Sequence, residues 1–134
     1  MKGLDTNVLV RYFTQDDPAQ SVTAERCIQT ACTEDQPCLI HAVVLCELMW
    51  VLETAYGYSR DQIINVLDLV LCTRQFQVQD REIMRAALNI YRSGTADFAD
   101  AVIGHGNRTA GCETTYTFDR KAARLPEFTA LLGP

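Results

Sequence analysis

Apolar positions along the chain recur at two spacings, and the switches between them lay out short strands separated by longer helices. Residues 2–4 leave room only for a short strand, and Asp5-Thr6-Asn7, three residues that favour turns and caps, follow it. Residues 8–14 then read as a short helix. Asp16-Asp17-Pro18 breaks the chain and opens a second helix, whose apolar positions Val22, Ala24 and Ile28 carry it to about residue 33. Residues 38–41 have the continuous apolar character of a buried strand. The next helix, 42–56, is apolar on nearly every side and is stopped by Gly57. Ser59 with Gln62 three residues on forms a candidate capping box for a helix to about residue 72. A short strand at 76–79 follows, then a helix over 80–91 capped by Asp80 and broken at Ser93-Gly94. Thr95 or its neighbour opens a helix through Ala110, and Gly111 ends it. Residues 114–118 are β-branched and aromatic in the manner of a central strand. A short helix over 119–124 and a strand near 128–131 complete the pattern.

Strands separated throughout by helices predict an α/β fold with parallel pairing, because parallel neighbours need a crossover and the crossover is usually a helix. The expected architecture is a three-layer α/β/α sandwich around a central parallel sheet of about five strands, with residues 1–134 forming a single domain. No internal repeat or low-complexity stretch is present. The most apolar segment, 38–52, contains His41 and Glu47 and falls short of the roughly 20 residues a membrane helix needs. Asp5 stands where a signal peptide would require its apolar region, so the expected location is the cytoplasm.

Cysteine usage adds little chemistry. Cys27, Cys32, Cys38, Cys46, Cys72 and Cys112 include no Cys-x-x-Cys pair, and His41 and His105 have no cysteine at zinc-finger spacing. They read as reduced, mostly buried thiols acting as small apolar residues. The net charge of -5 is the wrong sign for a protein that grips nucleic acid over a broad surface.

The carboxylates change that picture. Asp5 follows the first strand and Asp119 follows the strand at 114–118, and in open parallel sheets the carboxyl ends of strands are where ligands bind. Each aspartate taken singly is equally a helix N-cap. Glu47 interrupts two apolar runs, with Val44, Leu48 and Val51 on its helical face, so a partly buried carboxylate in need of a partner is expected there. Asp97 and Asp100 stand three residues apart on one face of a helix start, above Ala101 and Gly104, whose small size allows close approach. Asp97 alone is explained equally well as a complement to the helix dipole. Carboxylates gathered without histidine or thiolate make a hard oxygen site suited to Mg²⁺, with Mn²⁺ as substitute. One such ion would bring the formal charge from -5 to -3, and two would bring it to -1.

Leu4-Asp5-Thr6-Asn7-Val8-Leu9, Cys46-Glu47-Leu48, Asp97-Phe98-Ala99-Asp100-Ala101 and Thr117-Phe118-Asp119, in that order, resemble the motifs of PIN-domain ribonucleases, and the chain looks like a VapC-type toxin of a toxin–antitoxin pair. The resemblance covers essentially the whole chain. It implies that Asp5 and Asp100 hold Mg²⁺, that Glu47 and Asp119 complete the acidic group, and that Thr6, Asn7 and Thr117 give polar support. Asp97 stays open between ligand, supporting residue and helix cap. An RNA substrate, a homodimer and an antitoxin with a basic inhibitory segment are also implied. Arg120, Lys121 and Arg124, beside Asp119, are the basic residues placed to meet phosphate, with solvated surface charge as the plainer reading.

Two other readings use the same residues. An aspartate after the first strand is also the nucleophile of haloacid-dehalogenase-like phosphatases, but those enzymes carry a second Asp two residues later, where this chain has Asn7. A non-catalytic acidic module that binds a basic peptide would retain the carboxylates without using them for chemistry.

Overall fold

The computed structural model describes residues 1–131. Two compact units are present, Met1–Arg81 and Glu82–Pro134.

In the first unit, α1 (Thr6–Thr14) starts where Asp5, in extended backbone, accepts the Thr6 N–H on its own Oδ1 at 2.7 Å. It ends where Gln15 turns left-handed at φ 57°. Helix α2 (Pro18–Ala31) has Asp17 as its cap and Pro18 in the first turn, where a missing N–H costs nothing. β1 (Cys38–Ile40) leads into α3 (Ala42–Thr54), capped by His41 Nδ1. Helix α4 (Arg60–Cys72) opens with the full capping box, Ser59 Oγ accepting from the Gln62 N–H and Gln62 Oε1 from the Ser59 N–H. Gly57, at φ +66°, makes the turn between these two helices that a Cβ would strain.

β1 pairs in parallel with β2 (Phe76–Val78), Cys38 opposite Phe76 and Ile40 opposite Val78. On the other side of β1, the Leu4 N–H donates to the Leu39 carbonyl and the Leu39 N–H to the Lys2 carbonyl, a single parallel bridge at Gly3. The expected strand at 2–4 is therefore present as a bridge. It releases the chain directly into Asp5. Leu9, Ile40, Leu45, Leu48, Leu52, Ile63 and Leu67 are completely or almost completely buried and form the core here.

In the second unit, α5 (Arg81–Ser93), which begins at the unit boundary, buries Met84, Ala87, Leu88 and Tyr91, and α6 (Phe98–Thr109) buries Phe98, Ala101 and Gly104. Tyr91 and Phe98 meet edge to face. β3 (Thr115–Thr117) and β4 (Phe128–Ala130) pair in parallel, Thr115 opposite Phe128. The α/β class and the parallel pairing match the sequence expectation, and the strands recorded among the described residues are three residues long.

Three local expectations change. Asp80 lies at φ 53°, outside the extended backbone an N-cap adopts, so it forms the turn before α5 without the cap geometry. Asp97, not Thr95, takes the N-cap position of α6. The helix expected over 119–124 contracts at its start to a 3-10 turn at Ala122–Arg124, with Asp119 Oδ1 accepting the Lys121 and Ala122 N–H groups ahead of it, and it ends as expected where Pro126 holds Leu125 to extended backbone, φ -75°, ψ 139°.

Candidate active site

The residues singled out in the sequence fall into two groups, one in each unit. In the first, the chain leaves the Gly3 bridge and enters α1 at once, so Asp5 is fixed by its own capping bond. Thr6 is buried, and its hydroxyl donates to Glu47 Oε1 at 3.0 Å, reaching across from α1 to α3. One residue therefore ties both carboxylates: its backbone N–H holds Asp5 and its side chain holds Glu47. They border a cleft of ≈ 430 Å³ that Asn7, Arg11 and Tyr56 also line.

Glu47 is exposed, contrary to the expectation of a partly buried carboxylate. The core face of α3 is Leu45, Leu48, Met49 and Leu52, while Val43, Glu47 and Trp50 share the opposite stripe, Val43 58% and Trp50 66% exposed. An apolar sequence all round the helix did not mean burial all round. The partner Glu47 needs is the Thr6 hydroxyl rather than a basic residue.

Sequence reasoning missed the cluster around Arg11, which with Tyr56 lines this cleft. Arg11 Nη1 donates to both Asp16 oxygens, at 3.0 and 3.1 Å, and to Tyr56 at 2.9 Å, while its Nε donates to Gln20 at 2.6 Å. The Tyr56 and Thr14 hydroxyls, then Arg11, hold the Asp16 carboxyl below its ordinary value. The five-residue spacing of Arg11 and Asp16 was a usable signal. Tyr56 gave none, since it lies 40 residues from Asp16.

In the second unit, Asp119 follows β3, and its N–H donates to Thr117 Oγ1 at 3.0 Å. Its Oδ1 accepts the N–H groups of Lys121 at 2.8 Å and Ala122 at 3.2 Å, which is the capping role. Asp97 makes no side-chain capping bond; instead Oδ1 accepts from Lys121 Nζ at 3.0 Å. Asp100 is half-buried, and its carboxyl is pushed above the ordinary range, first by burial and then by the negative charges of Asp97 and Asp119. Lys121 opposes this shift. The negative charges of Asp97 and Asp119 thus both act on Asp100. Arg120 and Arg124 are exposed, while Lys121 is taken up by Asp97.

The small residues below Asp100 do allow close approach: a Cβ on Gly104 would stand 2.6 Å from Phe128 Cε2 and 3.1 Å from Glu127 Cβ. Glu127 is buried and paired with Arg108 at 3.5 Å. All six cysteines are free, but only Cys32 and Cys38 are buried; Cys46 is intermediate, and Cys27, Cys72 and Cys112 are exposed, so the expectation of mostly buried thiols holds for a minority. Burial pushes the Cys32 thiol up to about 12, leaving it inert at neutral pH.

Among the described residues, no group of three or more His, Cys, Asp or Glu side chains that could hold a metal ion is present, and no helix is long and apolar enough to cross a membrane. The donors around Asp100 are carboxylate oxygens only, the kind a hard cation takes, and their negative charge is offset in part by Lys121.

An α/β chain with an aspartate leaving its first strand-like segment, a glutamate on the third helix and aspartates at the start of α6 and after β3 matches the PIN domain family over residues 3–127, and the chain belongs to that family. Among its relatives is the VapC ribonuclease of Aquifex aeolicus (strain VF5), 24% identical over 125 residues, which span 93% of this chain and 92% of that protein.

Proposed function

We propose that the chain is a Mg²⁺-dependent endoribonuclease, the toxin of a toxin–antitoxin pair, with Asp5, Glu47, Asp100 and Asp119 as its catalytic carboxylates. The observation that carries this reading is the state of Asp100, half-buried and set against two like charges, an arrangement that is costly unless protons or a cation relieve it. Family membership over nearly the whole chain and the name of the Aquifex relative support the ribonuclease activity. A phosphatase of the haloacid-dehalogenase type finds no support in either.

When bound, Mg²⁺, for which Mn²⁺ substitutes, supplies a water of lowered pKa and neutralises charge developing on the phosphate. The protein's own contribution is orientation. Asp5 is rigid because its Oδ1 is a helix cap, and Glu47 is aimed by the Thr6 hydroxyl. Asp119 is fixed by two backbone N–H groups, and Thr117 holds the Asp119 backbone. Asp5 and Asp100 would be the principal residues to hold the ion, with Glu47 and Asp119 completing the set and Asp97 as a further oxygen donor. Asn7, on the cleft wall, and Arg120 and Arg124, exposed beside Asp119, meet the RNA backbone.

The same reading carries a cytoplasmic location, a homodimer and one PIN-like nuclease domain over residues 1–134. It also carries an antitoxin with a basic segment, whose Arg or Lys would be drawn to carboxylates in a protein of net charge -5. RNA cleavage should require Mg²⁺ or Mn²⁺ and stop with chelator; robust cleavage in excess chelator would overturn the metal requirement. Expression of the chain alone should arrest bacterial growth, and harmless expression of folded protein would remove the toxin assignment.

A further inference from the structure

Lys121 has a position that phosphate contact does not explain. Its backbone is fixed by Asp119, whose Oδ1 accepts the Lys121 N–H at 2.8 Å, and its side chain turns to Asp97, Nζ to Oδ1 at 3.0 Å. The residue therefore bridges two of the three aspartates that gather in this unit, and its charge also reaches the third, Asp100. Both side chains of the pair are about half exposed, 45% for Lys121 and 53% for Asp97. An ion pair in that setting is worth little and exchanges readily.

We propose that Lys121 is a tethered counter-cation: it occupies Asp97 while no divalent ion is bound, competes with that ion for the carboxylate, and on displacement becomes free to pair with an RNA phosphate. The proposal rests on the metal-dependent ribonuclease reading and deepens it. An ammonium carries one charge and is held by one flexible stem, whereas a divalent cation carries two and engages several oxygens, so the ion wins at sufficient concentration. The exchange turns Lys121 from a local neutraliser into a substrate contact. It links loading of the site to grip on the phosphate backbone.

Direct binding of Mn²⁺, followed by calorimetry or by loss of the free-ion paramagnetic resonance signal, tests this without relying on turnover. Lys121→Met should bind Mn²⁺ about three- to tenfold more tightly than wild type, the gain expected from removing one competing charge at a partly exposed site. Lys121→Arg, which keeps the charge, should stay within about twofold of wild type. In an Asp97→Asn background the gain from Lys121→Met should shrink to less than about twofold, since the shared carboxylate is gone. With Mn²⁺ bound and turnover blocked by a non-cleavable RNA, Lys121→Met should weaken RNA binding and flatten its salt dependence by about one counterion. Equal Mn²⁺ affinity in wild type and Lys121→Met would overturn the counter-cation role while leaving the metal site standing. Absence of Mn²⁺ binding in every variant would remove the metal reading, and this inference with it.

Discussion

The two units hold their carboxylates by different means. In the first, a single threonine satisfies both, the backbone N–H of Thr6 for Asp5 and its hydroxyl for Glu47, so the geometry is set by ordinary hydrogen bonds between α1 and α3. In the second, Asp100 is held half-buried against the charges of Asp97 and Asp119, offset in part by Lys121, which pairs with Asp97, while Asp119 caps the turn that follows it. The first arrangement engages one oxygen of each carboxylate and leaves the second toward solvent. The second costs stability as it stands, and a group kept in a costly state is where ligand binding has most to gain.

The sharpest way to break this contrast is to remove one carboxylate from each unit. Asp5→Asn and Asp100→Asn should each lower RNA cleavage by more than about 10²-fold, measured as initial rate at saturating Mg²⁺ with circular dichroism confirming the fold. Near wild-type turnover in either would show that the unit concerned does not contribute to the chemistry. The next largest effect concerns the support beneath Asp100. Gly104→Ala pushes a Cβ against the Phe128 ring and Glu127, and should destabilise the protein by about 1–3 kcal/mol in a denaturant titration. An unchanged midpoint would mean that the ring yields freely and that the close approach is not a constraint.

Thr6→Val probes the opposite arrangement. It keeps the backbone bond to Asp5 and deletes the hydroxyl that Glu47 uses, so it should cost about 0.5–1.5 kcal/mol in stability. Activity should fall without loss of the fold, and full activity would show that Glu47 needs no aiming. The smallest effect is a pH dependence. Because the folded-state value of Asp100 is raised above its ordinary 3.8, the folded protein binds that proton more tightly than the unfolded chain does. Its contribution to metal-free stability is therefore favourable at low pH and is lost as pH rises through the raised value. Asp100→Asn should abolish this dependence and melt at a slightly higher temperature than wild type at neutral pH in chelator. A wild-type advantage under those conditions would contradict the account of Asp100 as a strained charge.

What could be read from the sequence was local in origin. The Ser59 and Gln62 capping box, Asp17 before Pro18, and the stops at Gly57 and Gly111 each depend on residues within one turn of chain, and each is observed. The carboxylates were singled out because motif order can be read without knowledge of contacts. What escaped was decided by tertiary packing. Glu47 was expected to be partly buried because periodicity cannot tell which side of an all-apolar helix faces out, and Trp50 and Val43 show that this one leaves apolar residues in water. The pairing of Lys121 with Asp97 spans 24 residues and left no trace in any motif, and the Arg11 cluster depends on Tyr56, 45 residues away.

The contact of Gly104 with Phe128 also constrains how this sequence can change over generations. A methyl group at position 104 meets the ring, so the larger residue is disfavoured while Phe128 is present. A smaller side chain at position 128 leaves a void beside the glycine, so that substitution is disfavoured while Gly104 is present. Either single step loses stability and only the pair recovers it. Positions 104 and 128 should therefore drift together or not at all, and the order of substitutions, not only their identity, decides which descendants of this chain remain folded.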